Sequence, residues 1–448
     1  MAPRNQTSPL VTDLYELTMA AAFLARGMNT TATFSLFSRR QPDRPYFVAA
    51  GLEFVLDFLE TFAFAEEDTQ YLRSSGLFEG TFIDFLEALR FTGDVWAMDE
   101  GTLFFPDEPV LEVTAPLIQA QLIEPILINA IGLHTMLATK AARCVQAAGG
   151  RGLIDFSLRR TQGVDAALAA ARSSYLAGFQ ATSNVMAGKR YAIPVTGTMA
   201  HSFIQAFDRE SEAFAAYAET FPQRTVLLVD TYDTIQGVLS AIPLARKMEA
   251  AGHPLVGIRL DSGDMVDLSR RARALLDEAG LAKVQIFASG GFDEFRIADV
   301  LSRGAAIDAF GMGTKVGVSA DVPFTEMVYK LVRYRDRDVC KHSPGKVTLA
   351  GEKQVFRRMN PGGELKEDII GCRQERPPVD TRALLHPVME RGRRTTPAPS
   401  LARIRETFRG ELPKLPVKFR QLVPPAGAYP VRISRQLRAL QPKAAPQG

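Results

Sequence analysis

TVLLVDTYDT, residues 225–234, GIRLDSGD, residues 257–264, and FASGGFD, residues 287–293, together decide the fold. Each opens on apolar residues and closes on Asp, Ser, Thr or Gly. The apolar runs 225–230, 254–260 and 284–288 do not alternate with polar residues, as expected of strands covered on both faces. Residues 235–250 and 265–278, between them, carry helical periodicity.

The same rhythm extends both ways. Upstream lie a short apolar run at 152–157, an alanine-rich helix at 164–177, a strand candidate at 191–196 and a helix from about 202 to 220. Downstream lie a helix at 293–302 and a last strand candidate at 309–312. Strand and helix in repeated succession predict parallel strands covered by helices. An α/β barrel is the first reading and an open doubly wound sheet the second.

Outside this region the pattern changes. Residues 12–17 look like a capped helix start, with Thr12 or Asp13 as the cap. Residues 31–37 alternate like a strand, 51–62 read as a helix, and 91–113 as short strands turning at Gly93, Gly101 and Pro106. Residues 117–138 form the most apolar long stretch. Gln119, Gln121, Glu124, Pro125, Asn129 and His134 interrupt it, so it reads as a buried helix and not a membrane span. The expected domains are 1–148, 149–345, and a 346–448 segment packing back on the first.

Composition narrows the function. With 448 residues, 46% hydrophobic and 23% charged, the chain is ordinary globular protein. A net charge of +3, from 53 basic and 50 acidic residues, does not point to nucleic acid. Beyond Glu411 there is no acid, while Lys414, Lys418, Arg420, Arg432, Arg435, Arg438 and Lys443 follow. This reads as a solvated face or frayed tail, with a basic arm for a polyanion as the alternative. Three cysteines rule out a disulfide framework and fit a reducing cytoplasm.

The polar residues gather where each strand ends: at 155–160, 197–202, 230–234, 259–264, 289–293 and 311–315. In parallel α/β proteins these ends form one active face. Gly290-Gly291 and Gly311-Met312-Gly313 resemble phosphate loops, in which glycine lets backbone N–H groups approach an anion. Neither a Walker motif nor G-x-G-x-x-G is present. Arg159, Arg160 and Arg259 suit a carboxylate or phosphate; salt bridges to Asp155 or Asp261 are the alternative. Asp230, Asp233, Asp261 and Asp264 suit a hydrated Mg²⁺, or serve as helix caps. His201 stands at a strand end as a base, acid or nucleophile. His134, in an apolar helix, reads as structural, and His253, His342 and His386 have no chemical context.

Taken together, TDLYELTM (12–19), DFSLRRTQG (155–163), GTMAHSF (197–203), LVDTYDT (228–234), GIRLDSGD (257–264), FASGGFD (287–293) and FGMGTKV (310–316) resemble the nicotinate phosphoribosyltransferase family of type II phosphoribosyltransferases. KVTL (346–349) and YPV (429–431) extend the likeness. One departure is Ser157, where relatives usually carry glycine; its added Cβ and hydroxyl bear on the backbone beside Phe156.

The resemblance implies an incomplete TIM-like α/β barrel with an α+β domain from the two chain ends. It implies a homodimer that joins nicotinate to phosphoribosyl pyrophosphate, driven by ATP through a phosphohistidine at His201, with Mg²⁺ and tentatively Asp261 as its ligand. Tyr15, Phe156, Thr198 and Arg259 would bind nicotinate, Tyr15 from the neighbouring subunit. Arg159, Ser202, Gly290, Gly291, Gly311, Gly313 and Thr314 would hold the phosphoribosyl and phosphate groups. No membrane or nucleic-acid partner is implied. Nicotinamide-using relatives carry an aspartate in the strand after DF-x-x-R; residues 179–184, FQATSN, have no acid. The competing readings are a nicotinamide phosphoribosyltransferase and a non-catalytic barrel that binds nucleotides or a partner.

Overall fold

The computed structural model describes residues 7–341, 348–423 and 427–441. His342, Lys346, Val347 and Lys443 lie outside the described residues. Two compact units are present: residues 137–323, and residues 1–136 with 324–448.

The 137–323 unit is built on six strands: β1 (Gly152–Asp155), β2 (Ala181–Thr182), β3 (Val226–Leu228), β4 (Gly257–Leu260), β5 (Gln285–Ala288) and β6 (Ala309–Met312). Their order is β2-β1-β6-β5-β4-β3, and every pairing is parallel. The first strand therefore lies beside the last, as in a barrel, and the ring is open between β2 and β3. This is the expected incomplete α/β barrel. β1, β3 and β6 are buried along their whole length, which explains their unbroken apolar runs. Helices Val164–Leu176, Thr234–Ala250, Met265–Glu278 and Glu294–Ser302 follow β1, β3, β4 and β5.

The opening falls where the strand expected at 191–196 fails to form. Only an isolated bridge joins Thr182 to Val195. Pro194 has no N–H to give a ladder, and residues 194–197 are exposed. The helix expected at 202–220 is two pieces, His201–Gln205 and Glu210–Thr220.

The other unit is α+β. A seven-stranded antiparallel sheet runs in the order Arg337–Asp338, Met327–Tyr334, Thr31–Ser38, Pro109–Pro116, Asp94–Ala97, His386–Glu390, Arg393–Arg394. N- and C-terminal segments thus share one sheet. Residues 32–38 are all buried, so the alternation read there does not mark a wet face. Phe34 and Tyr329 stack across neighbouring strands with centroids 4.8 Å apart. A four-stranded sheet follows, in which Val431–Ile433 pairs parallel to Leu365–Cys372. Tyr429 stacks on Phe105 at 3.6 Å, tying the end of the chain to its beginning.

The apolar stretch at 117–138 is two helices, Leu117–Leu122 and Glu124–Ala147, not one. Pro125 is tolerated in a first turn but not in a helix interior. His134 is buried near the Phe54 ring, as its structural reading expected. Among the described residues, no helix is long and apolar enough to cross a membrane.

Candidate active site

Because all six barrel strands are parallel, the loops after Asp155, Thr182, Leu228, Leu260, Ala288 and Met312 emerge on one rim. Side chains on that rim touch one another across wide sequence gaps.

His201 is half-buried at the start of its short helix, and its Nδ1 lies 3.1 Å from Thr231 Oγ1 in the loop after β3. That contact bridges the opening of the barrel. Ser202, beside it, is exposed. Arg259, near the end of β4, donates from Nη1 to Thr198 Oγ1. Its Nε is buried and has no partner. Burial holds this guanidinium below the ordinary arginine value, although Asp261 and Asp230 favour its charge; Arg159 adds to the lowering. An arginine stays protonated under such a shift. It is a desolvated cation with a donor unused, and the alternative of a salt bridge to Asp155 or Asp261 is absent among the described residues. Arg159 and Arg160 are exposed in the turn Leu158–Arg160 that follows β1.

The aspartates divide into two kinds. Asp233 and Asp264 cap the following helices by accepting from Gln236 N at 2.8 Å and Val266 N at 2.9 Å. Asp230 accepts from Asp261 N at 2.8 Å and Ser262 Oγ at 2.7 Å, and its Oδ1 is buried without a partner. Asp261 accepts from Ser289 Oγ, joining the loops after β4 and β5. Among the described residues, no group of three His, Cys, Asp or Glu could hold a metal. Mg²⁺, however, needs only one or two carboxylates when substrate oxygens complete its shell, and Asp230 with Asp261 fit that demand.

The glycine loops have geometric reasons for glycine. Gly290 has φ +91°, and a Cβ there would strike the Asp261 carbonyl oxygen. At Gly311 a Cβ would come within 2.5 Å of the Phe156 ring, so that ring lies directly over β6. Gly291 also has a positive φ, +72°. Gly313 precedes Thr314, which is exposed at the start of the turn Thr314–Gly317. Lys315 in that turn pairs with Asp293 beyond Gly291 at 2.7 Å.

Two features were not read from the sequence. Glu210 begins the helix Glu210–Thr220. Burial, and then Asp230 and Asp233, push its carboxyl up to about 7, and its Oε1 is buried without a partner. An acid in a first helical turn looks like ordinary dipole matching, so no local signal marks it. The other is a knot at the end of β1. Asp155 accepts from Ser157 N at 2.9 Å, Ser157 Oγ at 2.6 Å and Thr182 Oγ1 at 2.7 Å.

Tyr15 lies in the α+β unit, on the helix Leu14–Ala25, with 52% of its surface exposed. This is not a core aromatic. Its neighbour Glu16 is buried, accepts from Gln121 Nε2 at 2.6 Å, and is pushed up to about 7 by burial. Burial, then the Glu16 and Glu124 charges, raise the Tyr15 phenol to about 12.

Comparisons with known proteins agree along most of the chain. The profile described as the N-terminal domain of nicotinate phosphoribosyltransferase matches residues 10–132, that of the nicotinate phosphoribosyltransferase family residues 152–332, and that of the C-terminal domain residues 373–441. A nicotinate phosphoribosyltransferase of Mycobacterium tuberculosis is 48% identical over 98% of this chain and 94% of its own. One from Bacillus subtilis is 40% identical over 86% of this chain and 80% of its own. The crystal structure of human nicotinic acid phosphoribosyltransferase superposes with a TM-score of 0.87 at 29% identity, covering 97% of this chain and 100% of that one.

Proposed function

Since this chain belongs to the nicotinate phosphoribosyltransferase family, we propose that it transfers the phosphoribosyl group of phosphoribosyl pyrophosphate to nicotinate, in NAD salvage. The products are nicotinate mononucleotide and pyrophosphate. One observation carries the choice of the acid: Arg259 is a desolvated guanidinium with an unpartnered Nε, oriented by Thr198. A substrate carboxylate supplies what that cation lacks. Residues 179–184 offer no acid to compete for it or to favour an amide.

Phe156, seated over Gly311, gives the flat pyridine an aromatic face, and Tyr15 of a second chain gives it the other. The resulting homodimer would hold two equivalent shared sites. Gly290, Gly291, Gly311 and Gly313 with Thr314 form the cradle for the phosphoribosyl and phosphate groups, helped by Arg159 and Ser202. Holding both substrates on one rigid rim lowers the entropic part of the barrier.

ATP is the energy source in this reading. The His201 imidazole attacks the γ-phosphorus, the bond to the β,γ-bridging oxygen breaks and ADP leaves; water later cleaves the N–P bond of the phosphohistidine, freeing phosphate and the imidazole. Thr231 holds Nδ1, so the ring is oriented before attack. Mg²⁺, held by Asp261 and Asp230 with substrate oxygens, would neutralise phosphate charge. Three free cysteines fit a reducing cytoplasm.

The test is an assay of both pyridines in parallel, on the wild type and on Arg259→Gln. Nicotinate is expected to exceed nicotinamide in kcat/KM by ~10²-fold, a gap that Arg259→Gln closes. Equal use of the amide would favour the nicotinamide reading. Binding without turnover of either would favour a non-catalytic barrel.

A further inference from the structure

We propose that Ser157 is a positioning residue that couples the two halves of the site. Its hydroxyl locks Asp155, and with it Phe156, while its Cβ seats against Gly317 in the turn that begins at Thr314. The inference rests on the reading above, in which Phe156 faces the pyridine and Thr314 the phosphoribosyl diphosphate.

The first half starts from Asp155, which is 2% exposed at the end of β1. Burial raises its carboxyl above the ordinary range, and the groups opposing that shift are Ser157 and Thr182, not a cation. A buried carboxylate held only by neutral donors depends on each of them. Its Oδ1 takes two bonds, both from Ser157: the backbone N–H at 2.9 Å and the hydroxyl at 2.6 Å. Its Oδ2 takes one, from Thr182 in β2 at 2.7 Å. Phe156 lies between the two tied residues, and its own N–H donates to Met312 O at 2.7 Å. Its backbone is therefore fixed on both sides of the residue, with the ring lying against Gly311.

The second half concerns residues 160 positions further on. A Cβ built on Gly317 would meet Ser157 Cβ at 2.5 Å, and Ser157 Oγ and Thr161 Cγ2 at 3.0 Å each. The glycine is thus the socket for the serine. Its φ is not in the left-handed region, so the requirement is space and not backbone conformation. Ser157 itself has φ −87° and ψ −15°, ordinary for any L residue. The serine fits without strain because Gly317 yields the room, and the loop after β1 is packed against the turn after β6 at this point.

The experiment compares wild type, Ser157→Ala, Ser157→Gly, Gly317→Ala and the Ser157→Gly/Gly317→Ala double variant. KM for each substrate, kcat and Tm are measured for each. Ser157→Ala is expected to raise KM for nicotinate ~10-fold, the loss of one hydrogen bond to a charged acceptor, with kcat and KM for phosphoribosyl pyrophosphate changed less than ~2-fold. Gly317→Ala is expected to raise KM for phosphoribosyl pyrophosphate and lower Tm, and the double variant to recover much of both. An unchanged nicotinate KM in Ser157→Ala, or simple additivity at 157 and 317, would overturn the proposal. If a single variant does not fold, recovery of folding in the double variant reads the same coupling. If wild type transfers nothing, the functional reading fails, and the Tm coupling still decides whether Ser157 and Gly317 are paired.

Discussion

Lys315 Nζ lies 2.7 Å from Asp293 Oδ2, and this ion pair ties the two glycine loops of the rim together. Asp293 follows Gly290-Gly291 and caps its helix by accepting from Arg296 N; Lys315 follows Gly313-Thr314. One carboxylate therefore fixes both loops and the start of a helix. Although burial acts against it, the Lys315 bond and the Arg296 N–H hold this carboxyl below its ordinary range.

Breaking the pair should loosen phosphate binding more than the fold. Lys315 is 43% exposed, so the pair contributes only ~0.5–1 kcal/mol of stability. Asp293→Asn should raise KM for phosphoribosyl pyrophosphate several-fold. A carboxyl with a lowered folded pKa stabilises above its unfolded value and loses that contribution as pH falls through the folded one. The Tm gap between wild type and Asp293→Asn should therefore be full at neutral pH and close below about pH 4. A gap that persists in acid would assign the effect to packing.

His201→Ala should abolish ATP hydrolysis and its stimulation of transfer, while unstimulated transfer survives, because the substrates are still positioned together. Label from γ-labelled ATP should be acid-labile, base-stable and confined to His201. Equal labelling of the alanine variant would remove the residue from that role.

Glu210 offers a pH test of its own. Its carboxyl sits at about 7 against an ordinary 4.5, so between those values the folded chain keeps a proton that the unfolded chain has released. Stability falls with rising pH across that window and levels off above it. Glu210→Gln lacks this loss, so its Tm advantage should grow from pH 5 to pH 8. An advantage independent of pH would mean that Glu210 does not titrate there.

Much of the barrel was legible because buried parallel strands and their helix caps are local signals. The runs at 225–230 and 284–288, and the caps Asp233 and Asp264, reappear in place. What escaped was long-range or exposed. The pairing of β1 with β6, whose paired residues are 157 positions apart, is not a periodicity, and neither is the seat of Ser157 on Gly317. The segment 191–196 has strand composition, but Pro194 and its exposure leave it a single bridge, so the barrel stays open. Glu210 was invisible because its shift comes first from burial in the fold and then from Asp230 and Asp233, which are 20 and 23 residues away.

The proposed sharing of the site between two chains has a complementation test. Tyr15→Ala and His201→Ala homodimers should each lose ATP-stimulated transfer. In mixed dimers, the intact Tyr15 of one chain meets the intact His201 of the other, so one site in two should recover that transfer. Mixed dimers that form but recover nothing would place both residues within one chain, or leave Tyr15 without a role in the site.

The proposed reaction is the joining of nicotinate to a phosphoribosyl group on this rim at the expense of ATP. It is tested most directly by incubating the purified full chain with nicotinate, phosphoribosyl pyrophosphate and Mg²⁺, with and without ATP, and measuring nicotinate mononucleotide and ADP. The expected result is mononucleotide in both reactions, with more formed when ATP is present and ADP appearing alongside it. No mononucleotide in either reaction would contradict the account, and mononucleotide formed at an unchanged level without ADP would contradict its use of ATP.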